Sequence, residues 1–377
     1  MTREGDVYRL SPPLVLYQGR SRVKTLFGIT LSAILALGIS SAHAETLDAD
    51  DIAFQALSPV VSALLNSEDA DELMVRADKL ESTDTLQAIA VYLAATREDH
   101  KQILAPYQVA ALFARRGDDK LAERFLKVAD DRGLWFGPQL AGDEDFADLR
   151  QTSTFKSVLA NAQQRYAKIA KGKVGAISVL NPPATIPVPA ACRPVLVWLH
   201  GYGVNGEVDE SYQPLADTGA IVLGINGTEM INAVDSFRWI GPGFEGTHKA
   251  VQNGLKELAA QQCIDRKRVY LMGFSQGSQH AGALLAQHPE DYAGALLLSP
   301  GGNQPTPTVS KARGKKVYVI NGKMEGPGNQ QMSADFRKLF SEGNEVKSTT
   351  HDGGHFFPED WRTSLPLALR WMMGTEA

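Results

Sequence analysis

One short segment limits what this chain can fold into: Gly273-Phe-Ser275-Gln-Gly277, which stands between a strand pattern and a helix pattern. The run from Arg268 to the segment reads as a strand, and residues 280–287 read as a helix. A serine at such a sharp strand-to-helix turn has a strained backbone and an exposed hydroxyl group. Its neighbours two positions away must be glycine, because they crowd the adjoining strand and helix. The bare pentapeptide is a weak signal, so its context carries the prediction that Ser275 is a nucleophile.

The region after Lys173 is typical of a mostly parallel sheet. Short runs of Val, Ile and Leu alternate there with Gly-rich turns and amphipathic helices, which is the pattern of βαβ units. Several runs are almost continuously apolar, as in strands that are covered on both faces. Helices are expected after Glu245, after Gln276 and at Thr363–Met373. The seven predicted strands are 176–180, 195–200, 220–225, 268–273, 293–299, 316–320 and 345–349.

Two backbone N–H groups are candidates for binding a developing oxyanion. The segment His200-Gly-Tyr202-Gly203 closes an earlier predicted strand, and Gln276 directly follows the nucleophile. Preorganised N–H donors at these two places would stabilise the negative oxygen of an acyl-transfer intermediate. We therefore predict that the N–H groups of Tyr202 and Gln276 form the oxyanion hole.

An acid and a base follow Ser275 along the chain. Glu325 lies in the loop after the strand predicted at 316–320, where its carboxylate could orient a histidine. His355 follows the last predicted strand, and the glycines before it suit a loop that approaches the site. The order serine, acid, histidine is that of the α/β-hydrolases, not that of the chymotrypsin or subtilisin folds.

Taken together, these segments resemble the phospholipase/carboxylesterase group of the α/β-hydrolases, which is similar to secreted feruloyl and polyhydroxybutyrate esterases. The resemblance covers about residues 190–360 and implies Ser275 as nucleophile, His355 as base and an acid after strand 316–320. The residues that carry it are His200-Gly-Tyr-Gly203, Val269–Gly277, His288-Pro289, Ala293–Pro300 and Gly353-Gly-His355.

The expected acid departs from the family pattern. The family usually has His-Gly followed two residues later by Asp, whereas this chain has Asn321-Gly-Lys-Met-Glu325. Glu can replace Asp in such triads, although its extra methylene changes the reach of the carboxylate. Asp352 is a poor substitute because it is too close to His355 in sequence.

The predicted fold class is α/β: an α/β-hydrolase sheet flanked by helices, preceded by an all-α helical-hairpin domain. The predicted function is hydrolysis of carboxylic or thio esters by a Ser-His-acid mechanism. Two alternatives stay open: a serine peptidase of the same fold, and an inert binding protein that uses its helical domain. Trp239 either walls the acyl pocket as a substrate-binding residue or lies in the core under its loop.

The substrate is expected to reach an open site. Only about 15 residues separate the turn at Ser299 from the strand 316–320, which leaves no room there for a large cap domain. Such a site suits small soluble esters or polymer-linked ones.

Residues 45–172 have a helical pattern with few Gly or Pro. Apolar positions on both sides of Gly117-Asp118, within Tyr107–Gly133, resemble one tetratricopeptide-type hairpin. A helical domain without repeats is the alternative. Such a module could bring a protein, peptide or polymer to the catalytic domain, which is predicted to span 173–377.

Residues 1–44 read as a leader that contains a signal peptide. Arg20–Lys24 is basic, Thr25–Ile39 is apolar, and Ser41-Ala-His-Ala44 offers a cleavage site. The apolar run of about 15 residues is shorter than the roughly 20 needed for a transmembrane helix, the alternative interpretation. A periplasmic or secreted protein without an anchor after processing is therefore expected. In such a compartment Cys192 and Cys263 could form a disulfide, although two buried free thiols remain an alternative.

Several other function classes are not expected. The net charge is −5, and no block of Lys and Arg suits a nucleic-acid footprint. Gly201–Gly206 fits G-x-G-x-x-G, but no Asp or Glu directly ends the following strand, 220–225, to hold a ribose. No cluster of His, Cys and carboxylates has metal-ligand spacing, so neither a metal nor a cofactor is expected.

Overall fold

The computed structural model of the chain describes residues 69–189, 192–232 and 235–376. The signal peptide predicted within 1–44, its cleavage site and the first part of the predicted helical domain lie outside these ranges. The chain divides into two compact units, Met1–Ile169 and Ala170–Ala377, so the division falls close to the domain boundary predicted at 172/173. Within the described ranges, no helix has both the length and the apolar character that crossing a bilayer requires.

The first unit is helical throughout its described part. Gly117, with a φ of 79°, ends one helix, and the side chain of Asp118 caps the next by accepting from the N–H of Leu121. These two helices form the hairpin expected from sequence, while their tetratricopeptide-type character stays a prediction. The α-helices described in this unit are α1 (Ala70–Leu80), α2 (Thr85–Glu98), α3 (Leu104–Arg116), α4 (Asp119–Asp131), α5 (Gly137–Gly142) and α6 (Ser153–Ala170), and the hairpin consists of α3 and α4.

The second unit contains a seven-stranded sheet. The strands described in this unit are β1 (Ile177–Leu180), β2 (Arg193–Leu199), β3 (Ile221–Ile225), β4 (Glu229–Asn232), β5 (Ser236–Arg238), β6 (Ile264–Phe274), β7 (Gly294–Leu298), β8 (Lys316–Gly322) and β9 (Glu345–His351). The sheet order is β1-β3-β2-β6-β7-β8-β9, and β4 pairs with β5 in a separate hairpin. Only β1 runs antiparallel to its neighbour in the seven-stranded sheet of the described residues.

Helices cover both faces of this sheet, which explains the continuous apolar runs. Along β2, Val197 contributes to one hydrophobic cluster, while Leu196 and Trp198 contribute to a second one. Successive side chains of a strand point to opposite faces, so a strand buried on both sides must be apolar at every position. The helices are α7 (Gln213–Ala216), α8 (Glu245–Gln261), α9 (Gln276–Gln287), α10 (Pro327–Phe340) and α11 (Trp361–Met373).

Cys192 and Cys263 form a disulfide, with their Cα atoms 5.3 Å apart. Each cysteine directly precedes a strand, and the first residues of these strands, Arg193 and Ile264, are paired in the sheet. The bond therefore ties β2 to β6 at the edge opposite the nucleophile. The bond closes a loop of 71 residues. In the chain-entropy treatment, the entropy that the unfolded chain loses through this loop stabilises the folded state by about 4 kcal/mol.

Candidate active site

Ser275 lies at the turn between β6 and α9 with φ 54° and ψ −121°. This left-handed conformation is costly for a residue with a side chain. The flanking glycines are required by close approach: a Cβ on Gly273 would lie 2.3 Å from the carbonyl oxygen of Gly277, and one on Gly277 would lie 2.0 Å from that of Leu199. The turn thus has the geometry expected of a nucleophile elbow.

Three side chains far apart in sequence meet at this turn. The Nε2 atom of His355 is 2.8 Å from Oγ of Ser275, and its Nδ1 atom is 3.1 Å from Oε2 of Glu325. They follow β6, β8 and β9, whose carboxyl ends lie at one edge of the sheet because these strands are parallel. The His355 side chain is 35% exposed, so a substrate can approach the line of hydrogen bonds from solvent.

The Glu325 side chain is buried and fully held by hydrogen bonds. Its Oε1 atom accepts from the N–H of Gly322 at 2.8 Å, while Oε2 faces His355. Burial raises the pKa of this carboxyl, but hydrogen bonds from His355, Ser299 and Gly322 outweigh it and hold the pKa below its usual value. Glu325 is therefore a carboxylate at neutral pH, which is the state needed to orient an imidazole.

The two predicted oxyanion donors belong to segments that adjoin the nucleophile. Gln276 is the first residue of α9, so its N–H has no acceptor within the helix. Its side-chain amide makes two hydrogen bonds of 3.0 Å with the backbone of Trp239, which fixes this end of the helix. Tyr202 follows Gly201, where an added Cβ would lie only 3.3 Å from Cβ of Ser275.

Several known proteins are similar to part of this chain. No family model matches the chain. A curated relative named "Putative hydrolase MhqD", from Bacillus subtilis (strain 168), is 27% identical over 169 residues, which make up 43% of this chain and 84% of the relative.

Among solved structures, a Bacillus cereus carboxylesterase is 21% identical and covers 53% of this chain and 94% of its own, with a TM-score of 0.42. A Mesorhizobium loti carboxylesterase is 23% identical and covers 48% of this chain and 89% of its own, with a TM-score of 0.39.

The sheet order, its antiparallel edge strand and the elbow after β6 decide the fold. The second unit is an α/β-hydrolase by fold.

His200 of this α/β-hydrolase unit is a structural residue beside the site. It is fully buried, with Nδ1 2.6 Å from the carbonyl oxygen of Gly201 and with Nε2 accepting from the N–H of Gly227 at 2.9 Å. Burial lowers its pKa to about 4, so the ring is neutral and carries its proton on Nδ1. The histidine therefore links the loop after β2 to the loop after β3 and fixes the segment that presents Tyr202.

Trp239 belongs to the core of the α/β-hydrolase unit rather than to its surface. It is 1% exposed, and its indole N–H donates to the carbonyl oxygen of His200 at 2.9 Å. Its ring also lies against the rings of His200 and His280. The structure therefore corresponds to the second sequence interpretation, a residue packed under its loop, and a ring so buried cannot line a substrate pocket.

Asn329 is a site residue that the sequence did not indicate. It lies in the first turn of α10, and its side-chain amide nitrogen is 3.0 Å from Nδ1 of His355. A half-turn of the amide would present its oxygen instead, which could share the Nδ1 proton with Glu325. Asparagine four residues after a candidate acid is too common a pattern to have been recognised in advance.

Acid should destabilise this unit through its buried histidines. Burial lowers the pKa of His280 to about 3, compared with about 6.5 in an unfolded chain. The unfolded state therefore binds the extra proton between these values, and stability falls as the pH drops below 6.5, by about 1.4 kcal/mol per pH unit from this one group. Urea unfolding at pH 7, 6 and 5 should give a shallower pH dependence for His280→Phe than for the unchanged chain. If the free energy of unfolding depended equally on pH in both proteins, His280 would not be a source of the acid destabilisation.

Proposed function

We propose that this protein is a serine hydrolase that cleaves carboxylic or thio esters through an acyl-enzyme. The observation that supports it best is the line of hydrogen bonds from Ser275 through His355 to Glu325. The similarity to the relative named "Putative hydrolase MhqD", over 84% of that relative, agrees with the same reaction class.

In the proposed mechanism, His355 accepts the hydroxyl proton of Ser275 while Oγ attacks the ester carbonyl. Glu325 accepts a hydrogen bond from the Nδ1–H group of His355 and stabilises the imidazolium that forms. The negative oxygen of the tetrahedral intermediate is bound by the N–H groups of Tyr202 and Gln276, each worth roughly 3–4 kcal/mol in comparable sites. His355 then protonates the leaving alcohol or thiol and activates the water that releases the acid.

The surroundings of the triad favour an apolar and bulky substrate group. Met324 and Phe356, the sequence neighbours of Glu325 and His355, are 73% and 70% exposed. Large apolar side chains exposed at this level beside a reactive serine offer a hydrophobic surface to a substrate. A cleft of about 680 Å³ lies between α10 and β9, and Lys323 and Pro327, on either side of Glu325 in sequence, belong to its lining.

We further propose that the chain is exported and works in the periplasm or outside the cell. The disulfide between Cys192 and Cys263 supports an oxidising compartment. The helical unit would then bring a protein, peptide or polymer to the ester-cleaving unit.

The first experiment is hydrolysis of p-nitrophenyl esters from acetate to decanoate, beside Ser275→Ala as the control. Activity that disappears in this variant, together with fluorophosphonate labelling that maps to Ser275, is the expected result. Comparable cleavage of p-nitroanilides would favour the peptidase alternative. If the folded chain showed no hydrolysis and no labelling, the proposal would be overturned and a binding protein would be favoured.

Shortening the apolar side chains near the triad should affect long esters more than short ones. For Phe356→Ser we expect kcat/KM to fall about tenfold with decanoate and little with acetate, since half-burying a phenyl ring is worth about 1.4 kcal/mol. Val309→Ser is the matched control, because Val309 is likewise an apolar side chain that is 75% exposed. It lies near the end of α9 that is distant from Ser275: two residues later, the N–H of Lys311 donates to the carbonyl oxygen of Ala286. Equal losses with both esters would contradict the proposed apolar contact.

A further inference from the structure

Two histidines and three carboxylates gather where α8 meets the end of α9, away from the elbow. His248 lies in the first turn of α8, and His288 and Asp291 lie between α9 and β7. One ligand atom from each of these three residues lies within 4.8 Å of the others. Glu245 and Glu290 add carboxylates 3.5 and 3.9 Å from the two ring nitrogens of His288. We infer that His248, His288 and Asp291 form a binding site for a divalent cation of the zinc type.

The spacing of the ligand atoms fits such an ion. Nε2 of His248 is 3.5 Å from Oδ2 of Asp291. Zinc–ligand bonds of about 2.0–2.1 Å in a tetrahedral site place neighbouring ligand atoms about 3.3 Å apart. Imidazole nitrogens combined with a carboxylate oxygen are the ligands of many zinc sites.

The orientation of His248 is fixed from behind. Its Nδ1 atom is 3.0 Å from the hydroxyl oxygen of Tyr292, a residue that is 1% exposed. The same oxygen also accepts from the side-chain amide of Gln252 at 3.3 Å. If Nδ1–H donates to Tyr292, the lone pair of Nε2 faces Asp291. Metal-binding histidines are commonly oriented by such a hydrogen bond to the second nitrogen.

The remaining ligands are held by a short turn. The N–H of His288 donates to the carbonyl oxygen of Leu284 at 2.8 Å, and the N–H of Asp291 donates to the carbonyl oxygen of His288 at 3.1 Å. These bonds fix the two backbone positions relative to each other. The rings of His248 and His288 are stacked, with centroids 3.8 Å apart, so binding requires them to splay until both nitrogens point to the ion.

The sequence did not predict this site because its ligands come from separate elements. His248 and His288 are 40 positions apart, unlike the short spacings that mark a metal motif. Their convergence depends on the packing of α8 against the turn before β7, which only the folded unit shows. A bound ion would join these two elements, and it plays no part in the proposed ester cleavage.

The test is zinc binding by the full chain without a histidine tag. Equilibrium dialysis followed by elemental analysis should find one Zn²⁺ per chain, and the ion should raise the melting temperature. His248→Ala and His288→Ala should lose this equivalent and the thermal shift, with circular dichroism confirming that they fold. His100→Ala, which removes an exposed histidine of the helical unit, should keep both. No zinc retained by the unchanged chain, or equal retention by all variants, would overturn the proposal.

Discussion

His355→Ala is expected to lose about 10⁶ in kcat for ester hydrolysis and to remain folded. The Oγ atom of Ser275 lies 2.8 Å from Nε2 of His355, and among the described residues no other base is in hydrogen-bond contact with it to take its proton. Removing the base of a comparable triad has an effect of this size. The side chain is 35% exposed, so its loss leaves no large buried cavity. Steady-state kinetics with an activated ester and a thermal melt would measure both quantities.

The double variant distinguishes a shared mechanism from two separate defects. Because Ser275 and His355 act in one step, Ser275→Ala combined with His355→Ala should be no slower than either single variant. Two residues that act independently would multiply their losses instead. A multiplied loss, or a His355→Ala variant that retains more than a hundredth of the activity, would contradict the role assigned to this histidine.

The elements that the sequence predicted are those determined by short-range patterns. All seven predicted sheet strands are present. The inner strands β2, β3 and β7 were marked by the nearly continuous apolar runs that strands covered on both faces require. The elbow was recognisable because two glycines and a serine stand within five residues of each other, between a strand pattern and a helix pattern. Glu325 was indicated by its position after β8, although the family pattern pointed to an aspartate.

The features that the sequence missed depend on packing between distant segments. The hairpin of β4 and β5 has strands of only four and three residues, too short to show a period. Trp239 could have been a wall or a core residue, and only its position beneath the loop, against His200, decides the matter. Asn329 approaches His355 because α10 begins beside the loop after β9.

Glu325→Gln is the second prediction with a large expected effect, and it tests the triad member that departs from the family pattern. The amide keeps the shape of the side chain but removes the charge that stabilises the imidazolium, and it can donate toward Nδ1 and favour the wrong tautomer. The corresponding change in a serine protease costs about 10⁴ in kcat, and we expect a loss of that order here. Steady-state kinetics on a short and a long ester should show the loss in kcat for both.

Two further variants make the assignment of Glu325 specific. Glu325→Asp keeps the charge but withdraws it by one methylene, so we expect a smaller loss of about 10- to 100-fold, because misplacing a catalytic group by about 1 Å can cost this much. Asp352→Asn is the matched control: this carboxylate is three residues from His355, yet it is exposed and binds Lys323 at 2.6 Å. If Asp352→Asn lost as much activity as Glu325→Gln, the acid of the triad would have to be reassigned. Full activity in Asp352→Asn, with graded losses in the two Glu325 variants, would establish that a glutamate after β8 takes the place of the usual aspartate.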